Sequence, residues 1–293
     1  MIDEIILGNI DTGASIIINK SDSQYALETV DWGSIPARHA TYLFVNQLGA
    51  GISSTSLGVR DISITGWAYS NKNEAELSQL KDILKSLVNP LHMLKISALN
   101  YMIIGHPTST VKFGSTDQTN NEIMCKFLVS LSCPDPLFEY GNESIGSFFV
   151  NEPAFKFPLC LKDSGIIMGR SQIREIITRD NVGDVETGLI FEFLARGEVE
   201  KPKIICIDTQ QEFEIDKTLI AGERVIVNTN QNNQGIKGYL DGVEYNYYEY
   251  KGRRSTWLQL AKGTSGFRRV AKSGLGALNI IIRHTNKRLE IES

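Results

Sequence analysis

The stretch Arg60 to Ser97, RDISITGWAYSNKNEAELSQLKDILKSLVNPLHMLKIS, reads as strand, helix, strand. Ile62/Ser63/Ile64/Thr65 alternate apolar and polar, the period of a half-buried strand, and Gly66, Trp67 and Ala68 continue it. The polar cluster Ser70 to Asn73 turns the chain and offers helix caps. Glu74 and Glu76 then fall in the first helical turn, where the helix dipole favours negative charge. Leu77, Leu80, Leu84, Leu87 and Val88 fall on one helical face, opposite Gln79, Lys81, Asp82 and Lys85. Asn89-Pro90 ends the helix, because proline drives its predecessor out of the helical region. Met93, Lys95 and Ser97 alternate with Leu94 and Ile96 in a second strand. This is the one convincing helix of the chain, over Asn73–Val88. A lone amphipathic helix in a β-rich chain covers a sheet face, so the class is mainly β with a single α layer.

Working outward, Ile16-Ile17-Ile18, Tyr25–Val30 and Ala40–Val45 read as strands before this unit. The first stretch is acidic: Asp3, Glu4, Asp11, Asp22, Glu28 and Asp31 face only Lys20. Gln47 to Gly58 is rich in Gly and Ser and reads as a long loop, a class that is often functional. After the unit, Glu122–Ser132 is the clearest strand, with Ile123, Cys125, Phe127, Val129 and Leu131 on one face. Cys133-Pro134-Asp135-Pro136-Leu137-Phe138 ends it, since two prolines bar further ladder pairing. A domain boundary is expected just after, in the Gly-, Asn- and Ser-rich Glu139–Pro153. The domains are therefore 1–138, an antiparallel sheet or barrel-like sandwich under the helix, and 139–293, a β-sandwich. In the second half the candidate strands are short and regular, from Phe155–Leu161 through Ile173–Thr178 to Leu278–Arg283 and Arg288–Ile291. Leu240-Asp241-Gly242-Val243 is a D-G hairpin signal.

The 293 residues are 42% hydrophobic, enough for two real cores, and the formal net charge of −4 gives no footprint for stable nucleic-acid binding. The opening residues lack a signal-peptide pattern and no apolar run reaches membrane-spanning length, so a soluble chain made in a cytoplasm, with no membrane contact, is expected. Cys125, Cys133, Cys160 and Cys206 show no metal spacing and read as free, mostly buried thiols. His39, His92, His106 and His284 are isolated, and no nucleophile elbow, zinc helix or phosphate loop is present. No catalytic residue, cofactor or metal is therefore expected, and the chain does not read as an enzyme.

Two surface features stand out. Tyr239, Tyr245, Tyr247, Tyr248 and Tyr250 cluster; on a strand, Tyr245 and Tyr247 point one way and Tyr248 and Tyr250 the other, so one pair fills the core and the other faces a partner. From Lys251 to Arg288 there is no Asp or Glu, while Arg253, Arg254, Arg268 and Arg269 are among ten basic residues. Such a run suits docking to an acidic partner surface, with on-rate helped by steering. Leu48, Gly49, Gly51 and Ile52 of the Gly/Ser stretch, with Tyr248, Tyr250 and these four arginines, are the candidate protein-interface residues.

Three motifs carry a family resemblance: Arg60 and Gly66 ahead of the helix closed by Leu87-Val88-Asn89-Pro90; Cys133-Pro134-Asp135-Pro136-Leu137-Phe138; and Asn181-Val-Gly-Asp-Val-Glu-Thr187 before the strand Leu189–Leu194. With the late hairpin Tyr239–Asn246, their order resembles the distal tail protein (Dit) family of long-tailed phages and prophages, over nearly the whole chain. The resemblance implies a hexameric ring in the virion tail, with N-terminal domains around the channel and a galectin-like C-terminal β-sandwich outside. It implies as partners the tail tube protein, the tail-tip protein and a receptor-binding protein. A carbohydrate-binding module for host recognition is the alternative, and a β-sandwich hydrolase a third.

Overall fold

The computed structural model describes residues 2–21, 24–45, 48–70, 74–153 and 169–292. The expected strand Phe155–Leu161, Cys160 and the helix-capping residues Asn71–Asn73 lie outside the described residues. The chain divides into two units, Met1–Gly141 with Arg288–Ser293, and Asn142–Lys287.

The first unit contains β1 (Glu4–Asn9), β2 (Ser15–Asn19), β3 (Tyr25–Asp31), β4 (Ala37–Tyr42), β5 (Gly51–Leu57), β6 (Arg60–Tyr69), α1 (Glu74–Leu87), β7 (Leu94–Ala98), β8 (Tyr101–Pro107), β9 (Lys112–Phe113), β10 (Met124–Cys133) and the start of β11 (Phe138–Ser147). Seven strands close on themselves in the order β7-β1-β2-β3-β6-β10-β8, with β8 returning to β7. The closing seam pairs Leu131 with Pro107 and Ser132 with His106. Alternation puts Ile5, Leu7, Ile62, Ile64, Phe127 and Val129 inside the barrel, all nearly inaccessible to solvent.

Leu77, Leu80, Leu84, Leu87 and Val88 of the helical stretch join this same core. Burying each is worth about 1.5–3 kcal/mol. The Tyr25 hydroxyl donates to the Leu80 carbonyl at 3.0 Å, and the Asn9 amide donates to the Leu87 carbonyl at 2.9 Å, so the helix is also pinned by polar contacts. The stop behaves as expected: the Asn89 side chain accepts from the Leu91 amide at 3.0 Å. Gly66 is required by packing, because a Cβ there would lie 2.6 Å from both the Ala26 carbonyl oxygen and the Phe127 ring.

Arg60 opens β6 and is completely buried. Its Nε donates to the Pro136 carbonyl at 2.8 Å, and Nη1 to the carbonyls of Trp32 at 3.1 Å and Gly33 at 3.2 Å. Its Nη2 donates to the Leu289 carbonyl, and the Phe138 ring centroid lies 4.5 Å from the guanidinium carbon. The Cys-Pro-Asp-Pro-Leu-Phe motif is thus one wall of an arginine cage.

The second unit contains the rest of β11, then β12 (Phe149–Pro153), β13 (Gly169–Ile173), β14 (Ile176–Asn181), β15 (Thr187–Gly188), β16 (Ile190–Ala195), β17 (Val199–Glu200), β18 (Lys203–Cys206), β19 (Glu212–Glu214), β20 (Thr218–Leu219), β21 (Arg224–Asn228), β22 (Gly235–Leu240), β23 (Val243–Asn246), β24 (Gln259–Leu260), β25 (Gly263–Val270) and β26 (Leu278–Arg288). One sheet runs β23-β22-β21-β16-β26 and another β14-β25-β18-β19. Phe191, Phe193, Val225, Val227, Ile280 and Ile282 from the first share a core with Ile177, Ile204, Phe213 and Phe267 from the second. This is a sandwich, with Phe191 and Phe267 meeting edge-on at 6.3 Å between the layers. The Asp241-Gly242 turn has positive φ at both residues, 50° and 80°, as a primed hairpin turn requires. In the Asn181–Thr187 motif, buried Asn181 donates to the carbonyls of Val185 and Leu260 at 2.8 and 3.1 Å.

The Gly-, Asn- and Ser-rich stretch Glu139–Pro153 holds the division between the two units, after Gly141, and β11 runs through its first nine residues. Asn and Gly lower strand propensity without forbidding pairing, and Glu139 and Tyr140 pair with Met102 and Tyr101. Arg288–Ile291 is not a separate strand, because β26 continues unbroken from Leu278 to Arg288. Ile173–Thr178 is interrupted between β13 and β14.

Buried ionisable groups in the second unit set its acid response. Burial alone would raise the Glu223 pKa, but hydrogen bonds from Lys217, the Ile220 amide and Tyr247 outweigh it and hold the carboxyl below its ordinary value. Burial pushes the His284 pKa below 6.5, against the pull of its bond to the Asp180 carbonyl. Both folded-state values are depressed. Each group's contribution is therefore complete above its unfolded-chain pKa, near 6.5 for histidine and 4.3 for glutamate, and lost as pH falls through the folded value. Guanidinium midpoints are expected to fall in two stages between about pH 7 and pH 3. The lower stage should be smaller in Glu223→Gln. Arg60→Met keeps much of the volume but removes every donor of the cage, and should cost about 3 kcal/mol or more in the same assay.

Candidate functional site

The Gly/Ser stretch is not a loop. From Gly51 to Leu57 it forms β5, paired antiparallel with β4 in the register Ala37↔Leu57 to Tyr42↔Gly51. Among the described residues the two strands pair only with each other, as a separate two-stranded sheet. Every residue of β4 and all of β5 except Gly51 are exposed. Serine and threonine, poor at burial but tolerant of strands, made the sequence look like coil.

The hairpin carries an apolar end that nothing among the described residues covers. Leu43 is 77% exposed, Phe44 63%, Val45 93%, and Leu48 is fully exposed. Ile52 is also exposed, and Tyr42 meets Phe44 edge-on at 5.0 Å. Gly51 makes room for this cluster: a Cβ there would sit 2.4 Å from the Tyr42 ring. Gly49 takes φ +91°, which a side chain would oppose. An isolated hairpin is marginal in water, and a contiguous exposed apolar patch marks an interaction site. Leu43, Phe44 and Val45 are not among the candidates that the sequence offers. Their signal was Tyr-Leu-Phe-Val, four apolar residues in a row where a half-buried strand should alternate.

The tyrosine cluster behaves differently from simple alternation. β23 ends at Asn246, and Tyr248–Tyr250 form a 3-10 turn. The period of two therefore fails after Asn246. Tyr247 is buried while Tyr245 and Tyr248 are exposed, and Tyr250 packs partly against the core. Lys217 lies over the Tyr247 and Tyr250 rings at 4.7 and 5.8 Å. Tyr248 sits 6.1 Å from Trp257.

Part of the basic run is paired with acids from elsewhere in the sequence. Lys272 meets Glu200 at 2.5 Å, Arg283 meets Glu192 at 2.6 Å, and Arg288 meets Glu292 at 2.8 Å. Arg269 departs from the surface expectation. It is buried, donates to the carbonyls of Leu275 and Leu278, and so serves the fold. Arg268, Arg253 and Arg254 are exposed. The last two ride a pinned loop: Gly252 donates to the Glu214 carbonyl at 2.9 Å and Thr256 to the Glu212 carbonyl at 3.0 Å.

Among the described residues, no group of three or more His, Cys, Asp or Glu is placed to hold a metal ion. Cys125, Cys133 and Cys206 are free and buried. Among the described residues, no helix is long and apolar enough to cross a membrane.

A closed barrel with one helix, a free hairpin and a following sandwich is a distinctive order of parts, and it has solved counterparts. The fold is shared with the SPP1 Dit protein. That structure, described as a paradigm of the hub adsorption apparatus in Gram-positive infecting phages, matches at TM-score 0.64 and 12% identity, covering 97% of this chain and 98% of its own. A chain of the phage P2 baseplate in its activated conformation with Ca matches at TM-score 0.56 and 10% identity over 99% and 100% of the two chains. One with Sr matches at 0.51 and 9%, with the same coverage. No family model and no curated protein matches the sequence. The SPP1 Dit match runs through both units, and the order of parts agrees with the resemblance carried by the motifs.

Placing a charge at the hairpin end should leave the fold intact, since these side chains touch little of their own chain. Phe44→Asp and Leu48→Asp are expected to unfold within a degree or two of the parent by calorimetry. They are also expected to fail in assembly by size-exclusion chromatography.

Proposed function

We propose that this protein is a structural component of a phage or prophage tail, a Dit-like hub of the baseplate. The observation that carries the reading is the end-to-end fold match to the SPP1 Dit protein through both units at TM-score 0.64. In the finer form of the proposal, six copies form a ring through the first unit, residues 1–138 in its essentials. The sandwich, residues 139–293, is galectin-like and faces outward. The ring joins the tail tube protein to the tail-tip protein and the host-binding apparatus, including a receptor-binding protein.

The exposed hairpin supports this reading physically. Its apolar residues have no role in a monomer, and a ring supplies them with a partner on every copy. The second unit adds the pinned Arg253–Arg254 loop, Arg268 and Tyr248, suited to an acidic protein surface. The function is then association, with no reaction catalysed.

The carbohydrate-binding alternative has one observation in its favour, the exposed Tyr248 beside Trp257. Glycan-array binding by the purified chain that disappears in Trp257→Ala would favour it.

Light scattering decides the main proposal. The expected mass is six times the 32.6 kDa chain, alone or once mixed with its tail-tube and tail-tip partners. A chain that stays monomeric in all these mixtures would overturn it. Association carried by Arg253, Arg254 and Arg268 should also weaken as salt rises from 50 to roughly 500 mM.

A further inference from the structure

A closed ring of strands with only antiparallel neighbours needs an even number of strands. This barrel has seven, so at least one seam must be parallel, and it falls between β2 and β3. Among the described residues the seam is held by a single pair, Asn19↔Ala26, whereas β3 pairs with β6 from Tyr25 to Asp31. Beyond Ala26, the side of β3 away from β6 has no strand beside it among the described residues. A cleft of about 420 Å³ runs along that edge, and its apolar lining is Ile2, Leu27, Val30 and Trp32. An open edge next to an apolar cleft is the recognition element for an added strand.

The hairpin has the complementary features. β5, Gly51–Leu57, contains no proline and no charged residue, the usual guards of an exposed edge. Among the described residues its outer side is unpaired. Residues 37–57 contain no Asp or Glu and carry Arg38. Around the β3 edge, Glu4, Glu28 and Asp31 are exposed, and Asp31, Asp61 and Glu290 line a further cleft at the end of that strand.

We propose that β5 of one copy adds as a strand to the open edge of β3 in a second copy, with Ile52 in the Ile2–Leu27–Val30–Trp32 cleft and Arg38 toward Asp31. The contact is heterologous: every copy gives a hairpin and receives one, which propagates around a closed ring. Backbone hydrogen bonds to β3 supply the affinity, and the cleft and charges set the register. This inference rests on the hub reading above and names where its subunits join.

Cysteine cross-linking tests it in the full chain. In a Cys160→Ser background the other native thiols are buried. Thr29→Cys is combined in turn with Ile52→Cys, Ser53→Cys, Ser54→Cys and Thr55→Cys, and the assembled protein is mildly oxidised. At least one pair is expected to give a disulfide between copies, seen as a ladder of multimers on a denaturing gel. Arg38→Asp and Asp31→Arg should each weaken assembly by roughly tenfold, and the double variant should recover it. An assembled ring in which no pair cross-links, or a charge swap without recovery, overturns the proposal while leaving the hub reading in place. A chain that never assembles, even with its tail partners, removes both.

Discussion

The first unit depends on one guanidinium. Arg60 has no route to water, and its donors are spent on main-chain carbonyls from four places: Trp32, Gly33, Pro136 and Leu289. A buried arginine without such acceptors would carry a penalty of several kcal/mol. The sequence around it therefore has to deliver carbonyls, and it does. Gly33 takes φ +62° against the Asp61 backbone, where a Cβ would approach the carbonyl oxygen to 1.9 Å. The two prolines after Cys133 end β10 and leave the Pro136 carbonyl free to accept. The residues around Leu289 are drawn back to the barrel, where the Glu292 amide also donates to the Tyr101 hydroxyl at 3.2 Å.

That anchor bears on function through geometry. β6 begins at Arg60, directly after the hairpin, so the cage holds the strand from which the hairpin departs. A rigid root and an uncovered apolar end are what a contact arm needs: the root limits the entropy lost on docking, and the end supplies the area. The odd strand count supplies the receiving edge. Parity imposes a parallel seam, the seam is short, and an unpaired length of β3 remains.

The second unit is organised around satisfied burial. Glu192 lies between Arg224 and Arg283 on neighbouring strands, at 3.3 and 2.6 Å. Glu223 is held by Lys217 above two tyrosines. Of the basic run, Arg283 belongs to these networks and Arg269 is buried, so the apparent charge of the run overstates its free surface charge. The Arg253–Arg254 loop, Arg268 and Tyr248 stay at the surface.

Periodicity by itself determined the helix, its leucine face, the alternating strands Ile62–Ala68 and Cys125–Leu131, the D-G turn and the mainly β class, because each depends on residues close in sequence. The motif order also pointed to the right fold. Only the tertiary structure decided that Gly51–Leu57 is a strand, since serine and threonine pair or coil according to what lies beside them. It alone decided that Arg269 is buried and Arg268 is not, as that depends on which side of β25 faces the other sheet. Ring closure, the parallel seam and the arginine cage join residues as far apart as Trp32 and Leu289, and no local pattern encodes which distant carbonyl a buried donor will find.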